Sequence, residues 1–98
     1  MYTSLNSLVS GEIQGGTTAF QLPDVPATLV KFKALAGNSG NIYLGGSGVT
    51  ASDGATDTTS GFELAPGDDS GWWPISNLNL LYGICSNNGD DLSYIVLR

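Results

Sequence analysis

The side chains that could do chemistry are few, and their spacing decides against most of it. The chain has no histidine and one cysteine. Without an imidazole, the usual proton relays and nucleophile–base pairs have no central member. Cys85 therefore lacks a base to activate it. It sits in the apolar run Leu80-Leu81-Tyr82-Gly83-Ile84-Cys85 and reads as a small buried hydrophobe. Two carboxylate pairs, Asp68-Asp69 and Asp90-Asp91, fall in turn-like sequence. Neighbouring residues on a strand point to opposite faces, so neither pair converges as a glycosidase needs. Both pairs read as solvated turns. No metal is expected. A calcium site could draw only on Asp53, Asp57, Asp68 and Asp69, whose spacing does not match a calcium-binding loop and includes no closing glutamate. Gly37-Asn38-Ser39-Gly40 and Gly45-Gly46-Ser47-Gly48 resemble phosphate-cradling loops in glycine content alone, because no P-loop lysine follows. No cofactor and no enzymatic activity are expected.

Contact surface is what remains. Trp72-Trp73 is the unusual pair. On a strand the two rings face opposite sides, so one enters the core while the other meets solvent, sugar or a partner. The interface candidates are Trp72, Trp73, Tyr43 and Val49, together with Tyr2 and Leu5 near the N-terminus. Only Lys31, Lys33 and Arg98 are basic, against nine acidic residues, for a formal net charge of −6. Nucleic acid and anionic membrane are poor partners for such a chain. Its N-terminus lacks the basic and apolar regions of a secretory signal. No apolar stretch approaches the ~20 residues of a membrane span.

The elements that must carry these residues are short. Fourteen glycines and four prolines punctuate 98 residues, and apolar runs alternate with turn chemistry along the whole length. The clearest strand is Thr28 to Leu35, with Val30, Phe32 and Ala34 on one face and Lys31 and Lys33 on the other. Residues 41–44 follow after a turn and are expected to form a hairpin with it. Further strands are expected near Leu5 to Val9, at Thr17 to Leu22, from Phe62, and across Trp72, Trp73 and Ile75. One more runs from Asn79 to Ser86 with Leu80, Tyr82 and Ile84 on one face. The last, Asp91 to Leu97, is expected to pair back on it through Asn88-Gly89, with Leu92, Tyr94 and Val96 inward. The fold class is therefore all-β: one antiparallel β-sandwich or jelly-roll-like barrel of seven to eight short strands. Residues 1–16 read as an N-terminal arm or first strand. Residues 17–98 form the sandwich domain, with a long flexible loop over 45–61.

The ordered set Val30-Lys31-Phe32-Lys33-Ala34, Gly37 to Val49, Leu64-Ala65-Pro66-Gly67-Asp68, Ile75 to Tyr82 and Leu92 to Val96 resembles small β-rich virion proteins of tailed bacteriophages. The resemblance covers about Thr17 to Arg98. Residues 52–60 look like an insertion against that pattern, and Trp72-Trp73 replaces a less bulky strand. The resemblance implies a non-enzymatic capsid decoration (cement) protein. Such a protein is made in the host cytoplasm and resides on the capsid surface. Its partners would be the major capsid protein or other virion proteins, and it would be a homo-oligomer, with a trimer favoured. A head-fibre base or a tail or neck adaptor is the alternative within the virion. A carbohydrate-binding module is the alternative outside it.

Overall fold

The computed structural model describes residues 7–51 and 60–98. It contains eight strands: β1 (Leu8–Gln14), β2 (Phe20–Gln21), β3 (Leu29–Ala34), β4 (Ile42–Gly45), β5 (Phe62–Leu64), β6 (Asp69–Pro74), β7 (Tyr82–Cys85) and β8 (Asp91–Leu97), with one 3₁₀ turn at Leu78–Leu80. Alternation explains the best of them. In β3, Val30, Phe32 and Ala34 are fully buried while Lys33 is exposed. In β8, Leu92 and Val96 are fully buried and Tyr94 is half-buried.

The strands form two four-stranded antiparallel sheets, β1-β8-β3-β6 (sheet I) and β2-β7-β4-β5 (sheet II). The pairs β1/β8, β2/β7, β3/β6 and β4/β5 are nested. The chain is thus one long ribbon doubled back on itself between β4 and β5. Rolling that ribbon brings β8 against β3 and β7 against β4. This is the strand order of a jelly roll. The core lies between the sheets. Sheet I contributes Val30, Phe32 and Val96; sheet II contributes Ile42, Leu44 and Cys85.

Two expected hairpins are instead arches between sheets. β3 and β4 lie in different sheets, as do β7 and β8. Gly89 does adopt the positive φ (88°) that Asn88-Gly89 suggests, but the turn carries the chain across the core rather than back along one sheet. Long-range bonds select this outcome. The Asn38 side chain accepts from the Asp91 N–H and donates to the Asp91 carbonyl, each at 2.9 Å. It thereby imitates a strand residue and locks the β3–β4 arch to the β7–β8 arch. The Asp90 carboxylate completes the lock, accepting from the N–H groups of Ser39 and Gly40 at 2.9 Å each.

The parity of β7 is also inverted. Gly83 and Cys85 face the core; Tyr82 and Ile84 face outward, and Leu80 is exposed in the 3₁₀ turn. The cause is the β2 pairing. Phe20 stands opposite Gly83, and its ring lies 2.8 Å from where a Gly83 Cβ would be. The aromatic ring fills the space a larger inward side chain would take. Upstream, Asn77 Oδ1 accepts from the Asn79 N–H at 2.9 Å and the Val25 N–H at 3.2 Å. This cap winds residues 78–80 into the turn and buries Leu78 in place of Leu80.

Candidate functional site

Three of the four paired aspartates bond to backbone N–H groups. One Asp68 oxygen accepts from the Ala65 N–H at 3.0 Å, and one Asp69 oxygen accepts from the Gly71 N–H at 2.9 Å. Asp69 also lies 3.9 Å from Lys31 Nζ, in a solvent-exposed pair. Asp90, expected as a solvated turn residue, is buried because the two arches close over it. Asp53 and Asp57 lie outside the described residues. Among the described residues no cluster of histidine, cysteine, aspartate or glutamate could hold a metal ion.

Cys85 is buried, and its thiol is pushed up to about 11, first by burial and then by the negative charges of Asp90 and Asp91. It stays protonated at neutral pH and is a poor nucleophile. A raised thiol pKa stabilises the fold below the unfolded value of 9.0. That contribution declines as pH rises from 9 and is gone beyond about 11. Unfolding midpoints of the wild type should therefore fall more steeply over this range than those of Cys85→Ala. Equal slopes would contradict this. The native thiol should also resist a soluble disulfide reagent until the protein is unfolded.

The tryptophans divide as strand geometry requires. Trp73 turns inward at the open side of the sandwich. Its ring meets Phe32 and Phe62 edge to face, with centroids 5.6 Å apart in both cases. Its Nε1–H donates to the Ser70 carbonyl at 3.1 Å. Trp72 points outward, 45% exposed, with Lys31 Nζ 5.8 Å from its ring centroid. Two other interface candidates have no surface to offer. Tyr43 is 1% exposed and Val49 is 5% exposed. Val49 folds back beside Gly45 and Gly61, and Gly61 lies against the Tyr43 Cβ. Val49 thus anchors this part of the chain on the outside of sheet II, while Gly46, Ser47, Gly48 and Thr50 are exposed. Tyr2 and Leu5 lie outside the described residues.

The outer face of sheet I carries two of the four large hydrophobic side chains exposed among the described residues, Leu8 and Trp72; the other two are Phe62 in β5 and Leu80 in the 3₁₀ turn. Register sets its rows. Leu8, Leu97, Leu29 and Pro74 align across all four strands, and Ile95, Lys31 and Trp72 form the next row. Leu8 is 59% exposed. The following row is polar, with Glu12, Ser93, Lys33 and Asp69. The face is therefore apolar at one end and charged at the other, and it carries both lysines of an acidic chain. At its apolar end it opens into a groove of about 310 Å³ lined by Ala27, Thr28, Pro74, Ile75 and Ser76. No lining side chain is titratable, so the groove offers shape and apolar contact rather than chemistry.

Comparison with protein-family models, with curated proteins and with solved structures finds no match for this chain.

Sequence reasoning reached Trp72 and missed the rest of this face. The signal was present in β8. Its inward set is Leu92, Tyr94 and Val96, so Ile95 and Leu97 occupy positions where a wet face calls for polar residues. Apolar residues on both sides of such a strand put apolar side chains on its outer face as well as in the core.

Proposed function

We propose that this chain is a structural virion protein of a tailed bacteriophage, of the capsid decoration type. In this reading it grips the outer shell with the outer face of sheet I. The observation that carries the proposal is the apolar end of that face, where Leu8 and Trp72 stand exposed beside Pro74, Ile95 and Leu97. An exposed apolar patch flanked on one side by charged residues suits a protein contact. Jelly rolls serve viral capsid and lectin domains alike, so the fold permits the role without selecting it. Repetition over a shell lattice multiplies modest contacts through effective concentration. The acidic balance of the chain keeps coated particles apart in solution.

The test uses expanded shells stripped of the protein. Wild-type protein should rebind in hundreds of copies and restore resistance to heat or low salt. The double variant Leu8→Glu/Trp72→Glu should remain folded, because both side chains are exposed, and bind roughly 100-fold more weakly. Stripped and complete shells that melt alike would contradict the stabilising role. Unchanged binding by the double variant would remove this face from it.

A further inference from the structure

Each sheet ends in two edge strands, and three of the four are blunted. β2 has two residues and β5 three, too short to template a partner. β6 breaks register with β3 between Lys31 and Lys33, carries Gly71 at φ 72° and ends in Pro74. Bulges, positive-φ glycines and prolines are the devices that turn an edge away from pairing. β1 has none of them. It runs seven residues in unbroken register with β8 and contains neither proline nor lysine.

The hydrogen-bond parity of β1 follows from its ends. The Ser7 carbonyl accepts from the Arg98 N–H, and the Gly15 N–H donates to the Asp90 carbonyl. In an antiparallel ladder a residue's N–H and C=O point to the same side, and the side alternates. The odd-numbered residues of β1 therefore face β8. The N–H and C=O groups of Leu8, Ser10, Glu12 and Gln14 face the free edge, and all four residues are exposed. No described residue pairs with them.

We infer that β1 pairs antiparallel with β1 of a second copy, about a two-fold axis at Gly11. In this register Ser10 opposes Glu12 of the second copy, and Leu8 opposes Gln14. The four outward residues of each strand then exchange about eight main-chain hydrogen bonds. Gly11 meets its own symmetry mate at a non-hydrogen-bonded position, where the backbones come closest and the absence of a side chain helps. Moving the axis to Glu12 would set the two glutamates directly opposite, which charge disfavours. The pairing joins the two copies of sheet I into one continuous sheet, with both outer faces on the same side. A two-fold pair differs from the trimer that the virion resemblance implies. It also stands without the shell reading, since isolated protein suffices to form it.

Sedimentation equilibrium and amide exchange on the isolated chain test the inference. At about 100 μM the wild type should be a dimer. The amides of Ser10, Glu12 and Gln14 should gain protection with concentration, while those of Val9 and Ile13 are protected throughout by β8. Ser10→Pro removes an edge donor that β8 does not use, and should weaken the dimer about 30-fold or more with the Val9 and Ile13 amides still protected. At low salt, Ser10→Glu should weaken it about tenfold and Ser10→Lys should tighten it about tenfold, because each places a charge opposite Glu12 twice per dimer. A monomer at this concentration, a trimer, or a dimer indifferent to all three substitutions would overturn the inference. None of these outcomes bears on shell binding, which the stripped-shell experiment measures separately.

Discussion

Trp73→Ala should lower stability by about 3 kcal/mol, whereas Trp72→Ala, one residue away, should cost less than about 1 kcal/mol. Trp73 closes the open side of the sandwich, where the β5 and β6 edges meet. Its loss removes two edge-to-face contacts, with Phe32 and Phe62, and the bond from Nε1 to the Ser70 carbonyl. It also uncovers Phe32, which is fully buried. Trp72 stands on the outer face over Lys31, and an exposed cation–ring contact is worth only about 0.5–1 kcal/mol. For a domain of this size 3 kcal/mol corresponds to a fall in Tm of roughly 12–24 °C. Chemical denaturation of the two variants side by side measures the contrast. Equal losses would mean that the inward and outward assignments of this strand are wrong.

The second large effect is expected at Asp90. Asp90→Ala should cost about 2–4 kcal/mol, because it leaves the Ser39 and Gly40 N–H groups without their acceptor. Asp90→Asn keeps one carbonyl oxygen and should fall between the alanine variant and the wild type. The two arches meet through this residue and Asn38. Asn38→Ala and Asp90→Ala should therefore be non-additive in a double-mutant cycle, with coupling of about 0.5–3 kcal/mol. Strict additivity would show that the arches are held independently.

The fold class was legible because alternation survives wherever one face is buried. β3 and β8 show it without ambiguity, and they are the central strands of sheet I. Connectivity was not legible. Asn88-Gly89 has the same φ preference whether the chain returns along one sheet or crosses to the other, so local chemistry could not choose. The choice lies in Asn38 and Asp90, whose partners are more than fifty and about fifty residues away in sequence. The parity of β7 was misread for a similar reason. Gly83 carries no hydrophobic signal, and the ring that fills its place comes from Phe20. The apolar end of the outer face of sheet I was legible only in part. Trp72 stands out alone, but Leu8, Leu97, Leu29 and Pro74 become neighbours only when β1, β8, β3 and β6 lie side by side. Tyr43 and Val49 are buried outside the core between the sheets, Tyr43 on the outer side of sheet II with Val49 and Gly61 against it.

The central claim is that the molecule acts by laying the outer face of sheet I on a larger assembly. A cryo-EM map of the decorated particle tests it most directly. The account predicts copies distributed over the shell, with Leu8, Trp72 and Leu97 buried against capsid subunits and the acidic loops turned to solvent. A map in which that face is bare, or in which the protein occurs only in a few copies at the neck or tail, would contradict it.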